Sequence, residues 1–146
     1  MYSMKERSAH AMAASEIRRE LKKAYPTIKF SVTSECFSMG NSVRIHWTDG
    51  PTADQIDSIV KKYQFGNFDG MKDLYEYDNH IDGLSQVKYV QTSRTISDVI
   101  KMDVKDKIEK LYGIDMSDER AVLEKFSCWP DTLIYRETYK TDYTTV

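Results

Sequence analysis

Asp49, Asp69 and Asp73 are the residues whose type first suggests chemistry. Carboxylate oxygens hold hard cations such as Mg²⁺, and an added histidine suits a transition metal. These aspartates, with His46 or His80, would form a metal site if their two loops converged, and a metal-dependent enzyme is one reading of the set. Two of the three stand before glycine, in Asp49-Gly50 and Asp69-Gly70. Asp-Gly is also ordinary turn chemistry, because the carboxylate accepts a nearby backbone N–H while glycine adopts positive φ. A competing use for Asp69 is to bond backbone amides of the loop that links helix and strand, and the spacing alone does not bring the loops together.

A second set is cationic. Arg18, Arg19, Lys22, Lys23 and Lys29 gather near the end of a helical pattern, with Arg18/Lys22 and Arg19/Lys23 spaced to share a helix face. Such a cluster can contact phosphates, or it can complement the negative end of a helix macrodipole. The charge is lopsided along the chain. Residues 1–30 carry seven Lys/Arg against three Asp/Glu, a net of +4, and residues 49–82 carry three against eight, a net of −5, within a total of −2. A near-neutral whole weakens the electrostatic case for nucleic acid. Tyr75, Tyr77, Tyr89, Tyr135, Tyr139 and Tyr143 form a third set, suited to a recognition surface or to sheet packing, since tyrosine joins apolar area to a hydroxyl. Cys36 and Cys128 lack CxxC spacing and read as free thiols. Neither a GxSxG elbow, a Cys-His constellation nor a GxxxxGK[ST] phosphate loop occurs, and no cofactor is expected.

The elements that position these residues follow from periodicity. Ser3 with Glu6 forms a capping box, and Ala13, Ala14, Ile17, Leu21 and Ala24 recur at helical spacing up to Tyr25-Pro26, which ends the helix. Residues 29–33 and 42–48 alternate apolar and polar, predicting a hairpin with Phe30, Val32, Val43, Ile45 and Trp47 facing the core. Asp49-Gly50-Pro51-Thr52 stops the second strand. Thr52 with Gln55 caps a helix that carries Ile56, Ile59, Val60 and Tyr63 on one face. Short strands are predicted at 74–77 and 86–92, with Asp82-Gly83 turning between them. A helix from Ser97-Asp98 to a left-handed cap at Gly113 and a short helix after Ser117 follow, and beyond Pro130 the β-branched, tyrosine-rich tail predicts an edge strand or extended chain.

The predicted order, α-β-β-α-β-β-α-α, is that of an α+β fold, an antiparallel sheet of three to five strands with helices mainly on one face. At 146 residues, 40% hydrophobic and 30% charged, the chain suits a single domain with a 14–97 core and a 98–146 extension of helices and tail. No apolar run spans a bilayer and the N-terminus lacks a secretory h-region, so a cytoplasmic location without membrane contact is expected.

Three local signatures stand together: Lys29-Phe30-Ser31-Val32 after Tyr25-Pro26, Trp47-Thr48-Asp49-Gly50-Pro51, and Phe68-Asp69-Gly70-Met71 with Asp73. In this order, over roughly residues 14–97, the chain resembles a large polyvalent protein-associated domain, a module of phage and conjugative-element proteins. The resemblance implies a mobile-element origin and a part in managing host defences or the element's own DNA. It brings no established reaction with it. The leading expectation is a non-enzymatic interaction module that binds a host or element-encoded protein. The alternatives are a nucleic-acid-binding accessory protein using the basic first helix and, last, the metal-dependent enzyme.

Overall fold

A computed structural model describes residues 8–144. The capping box expected at Ser3 and Glu6 lies outside them. The chain divides into two compact units, the first formed by the described residues up to Trp47 with Ala53–Ser93, the second by Thr48–Thr52 with the described residues from Arg94 onward.

In the first unit, helix α1 (Ala9–Ala24) buries Ala13, Ala14, Ile17 and Leu21, the predicted apolar stripe, and closes where the Tyr25 amide bonds Leu21 O. Strands β1 (Ser31–Phe37) and β2 (Gly40–Thr48) form the predicted hairpin, each longer at its turn end than alternation alone suggested. Their antiparallel register pairs Val32 with Ile45 and Phe37 with Gly40, leaving Ser38-Met39 as the turn. Val32, Val43, Ile45 and Trp47 are buried as predicted, and Phe30, just before β1, packs half-buried against them. Helix α2 (Ala53–Val60) continues into a 3-10 turn, Lys61–Tyr63, so that Ile56, Val60 and Tyr63 complete the same core.

Two pairings differ from a wholly antiparallel sheet. Strands β3 (Asn67–Asp69) and β4 (Leu74–Glu76) make a separate antiparallel pair, while β5 (Tyr89–Thr95) lies beside β2 in a mixed three-stranded sheet ordered β1-β2-β5. The stretch from α2 through β4 is long enough to carry the chain back across the sheet, as parallel neighbours require, so β4 and β5 are not a hairpin. Gln86, expected at the start of that strand, is a buried tie instead. Its amide donates to Lys62 O and Asn79 O while its carbonyl accepts the Ile81 amide. Within this unit α1 and α2 pack on one face of the sheet and Arg44 and His46 are exposed on the other, in keeping with the expected α+β class.

The second unit holds α3 (Asp98–Tyr112), α4 (Glu119–Phe126) and α5 (Pro130–Tyr139). Gly113 ends α3 in the left-handed region at φ 63°, as expected. The tail forms a helix where a strand or extended chain was expected. Pro130 at its first turn has φ pre-set for helix and no amide to orphan, and winding lets Leu133 and Thr138 both be buried, which outweighs β-branched propensity. Ile100, Val104, Ile108, Met116, Val122, Cys128 and Leu133 form this unit's own core. Cys128 is buried, Cys36 is exposed, and both are free thiols.

Candidate interaction surface

The face of the sheet turned away from the helices carries the sequence's densest aromatic grouping. Ser31 pairs with His46, and His46 Nδ1 lies 2.8 Å from Ser93 Oγ, so alternation puts Phe37, His46, Tyr89 and Ser93 on one side. Phe37 and Tyr89 stack there at 6.4 Å between ring centres. Tyr75 meets Tyr89 edge-on at 5.7 Å and Tyr77 at 4.9 Å, and Tyr77 stacks on Phe65 at 5.4 Å. Five rings thus run continuously from the end of β1 to the β3–β4 pair. Phe68, directly across the ladder from Tyr75, shares its side of the pair and is 55% exposed.

Backbone bonds hold this row in place. Tyr75 Oη donates to Lys88 O at 2.7 Å, and Lys88 Nζ donates to Met39 O while sitting 5.0 Å from the Tyr75 ring centre and 5.7 Å from that of Tyr89. Burial, reinforced by the charges of Tyr89, Tyr77 and Asp78, pushes the Tyr75 hydroxyl up to about 12. Gly66 permits the close approach of β4, because a Cβ there would fall 2.1 Å from Glu76 O. The rim is acidic: residues 67–78 carry Asp69, Asp73, Glu76 and Asp78 against Lys72, a net of −3. Asp78 accepts from Asn67 Nδ2 at 3.2 Å, and Lys72 is paired with Glu76 at 3.1 Å. Phe37, Phe65 and Lys88 escaped the sequence reading, because Phe37 lies beyond the strand segment that alternation picks out, Phe65 follows a helix, and Lys88, though inside the strand predicted at 86–92, meets its tyrosines only through tertiary contact.

The three aspartates each shape a turn. Asp69 Oδ1 accepts the amides of Met71 and Lys72, a backbone-bonding role as expected but in the turn between β3 and β4 instead of a loop from helix to strand, and Asp73 closes the same turn at φ 52°. Asp49, at φ 57°, accepts the Ser97 amide with Oδ1. Gly50 follows at φ 61° and Pro51 is fully buried. His80 pairs with Asp82. Among the described residues no group of three His, Cys, Asp or Glu side chains is arranged to hold a metal ion.

The Asp49-Gly50 turn has a partner that the sequence reading missed. Arg94 donates Nε to Asp49 O, both terminal nitrogens to Gly50 O, Thr138 O and Thr141 O at 2.8–2.9 Å, and covers the Tyr143 ring. Burial lowers its pKa, against the opposing pull of Tyr143, Asp49 and Asp142. Acceptors that lie 44 residues or more away along the chain left no local pattern to find it by.

The cationic set is divided. Arg18, Lys22 and Lys29 line a shallow groove with Ile28 and Phe30, and Arg18 also donates to Val32 O at 2.6 Å. Arg19 is near the cluster of Glu20, Lys62 and Tyr63, where its charge bears on both Glu20 and Tyr63. Burial raises the Glu20 carboxyl, but hydrogen bonds from Lys62 and Tyr63 outweigh it and hold the group below its usual range. Lys23 is exposed on α1.

Neither the curated proteins nor the solved structures compared with the chain give a match. A family model described as large polyvalent protein associated domain 29 matches residues 8–97, which spans α1 through β5 and all three signatures. That match takes in more than half of the chain, which therefore belongs to the large polyvalent protein associated domain 29 family.

Proposed function

We propose that this chain is a non-enzymatic interaction module of a mobile genetic element, of phage or conjugative type, and that it binds a host or element-encoded protein with the aromatic face of its first unit. A role in countering host defence and a cytoplasmic site of action fit this reading. The observation that carries it is the placement of Phe68. A signature aromatic that would contribute most to stability inside the core stands 55% exposed beside five contiguous rings. Exposed aromatic rows with a fixed backbone suit protein recognition, because large rings bury much area at little cost in side-chain entropy. Membrane association is not part of the proposal, and among the described residues no helix is long and apolar enough to cross a membrane.

A photo-reactive phenylalanine analogue at position 77 tests the reading in cells that express the chain. Protein adducts should form there and be lost when Phe68 is also changed to Ala. Irradiation that yields no protein adduct from position 77 rejects the proposal. The groove of Arg18, Lys22 and Lys29 beside Phe30 favours a second reading, nucleic-acid binding. It requires nucleic-acid adducts from an analogue at position 22 and an affinity that falls linearly with the logarithm of salt concentration.

A further inference from the structure

Resting on the aromatic face as the binding surface, we infer that its occupant is a basic peptide segment, one that lays an arginine or lysine side chain over Tyr77 beside the Asp78 carboxylate. The molecule already demonstrates the recognition chemistry on itself. Lys88 places its ammonium over Tyr75 and Tyr89, so the negative faces of this row do receive a cation. Tyr77 is next in the row, backed by Phe65 and 68% exposed. Asp78, its chain neighbour, is exposed, close enough to Tyr75 for its charge to act on that hydroxyl, and held by a neutral amide, so its negative charge is not cancelled there.

Charge complementarity selects the partner. Over residues 67–88, with Lys88 included, five carboxylates stand against Lys72 and Lys88, a net of −3, so phosphates are repelled from the surroundings of this row and a cationic segment is attracted. Lys72 does not reverse that sign, since Glu76 takes its ammonium. Phe68 and Met71, 55% and 97% exposed on the same pair of strands and their turn, add apolar area, so the segment also carries apolar side chains between its cations. Arginine is the better fit of the two cations, because a planar guanidinium can stack on a tyrosine ring and bond a carboxylate at once.

Fluorescence anisotropy with three labelled probes tests this on the full chain: a repeating Arg-Gly-Leu peptide, its Glu-Gly-Leu counterpart, and single-stranded oligothymidylate. The arginine peptide should bind, weaken about tenfold with Y77A and with D78N, and be unaffected by K22A. Circular dichroism of the variants checks that these exposed positions leave the fold intact. Equal binding of the glutamate peptide, with Y77A still damaging, overturns the basic-partner inference while leaving the face as a protein-binding surface. Loss of Y77A sensitivity for both peptides overturns the inference and the surface together. Concentration-dependent sedimentation abolished by Y77A assigns the face to a second copy of the chain and likewise overturns it.

Discussion

Arg94 gives its guanidinium to four carbonyl oxygens, so its contribution is geometric as much as electrostatic. Replacing it with alanine leaves those acceptors short of a donor, and a hydrogen bond to a charged group contributes roughly 1.5–3 kcal/mol net of water, which can still reach the exposed Thr141 O. R94A should therefore lower stability by about 3 kcal/mol in chemical denaturation. R94K should recover only part, because an ammonium cannot reproduce the fork. Tyr75 gives a prediction in pH. Its hydroxyl titrates near 10.0 in an unperturbed setting and at about 12 in the fold. Between those values the unfolded chain has released a proton that the folded chain keeps, so stability is complete below the lower value and falls as pH rises through the window. Denaturation midpoints across the alkaline range should drop less steeply in Y75F. Glu20 acts with the opposite sign: its lowered carboxyl supports the fold above 4.5 and the support fades as acid protonates it.

Helix α4 is bounded by two caps of unequal quality. Asp118 accepts the Ala121 amide at 3.2 Å, a normal side-chain cap, and D118A should cost about 1 kcal/mol. At the other end Ser127 occupies the left-handed region at φ 58°, where glycine pays no Cβ penalty. S127G should raise the thermal midpoint, by an amount equivalent to about 1 kcal/mol. The β3–β4 pair offers the reverse case. Gly66 has no positive φ to relieve, yet alanine there would drive its methyl into Glu76 O, so G66A should destabilise the pair by about 1–3 kcal/mol and loosen amide protection over residues 67–76.

Two cores are present among the described residues, one centred on Trp47, Ile45 and Ile17, the other on Ile108, Val122 and Leu133. Separate buried clusters make separate cooperative units a natural consequence. I45A and I108A should each cost about 2–5 kcal/mol, and hydrogen exchange should show each loss concentrated in the amides around its own core. Equal acceleration in both cores would argue for one cooperative unit. The lopsided charge also sorts within the first unit: the cations of α1 and Lys29 are remote in sequence from the acidic rim of the aromatic face, so salt should weaken occupants of either surface through opposite signs of charge.

Alternation alone determined the β1–β2 hairpin and its buried side, because a period of two commits Val32, Val43, Ile45 and Trp47 to one face whatever lies beyond. Helical spacing did the same for α1, α2 and α3, and Gly113 marked an end that only a left-handed residue suits. The three signatures were enough for the family. Tertiary structure decided the rest. The partner of β5, the winding of α5, the four acceptors of Arg94 and the joining of Phe37, Tyr89, Tyr75, Tyr77 and Phe65 into one row all depend on groups far apart in the chain. Local propensity cannot encode such meetings, since each is settled by which surfaces the packed elements bury together and which they leave facing water.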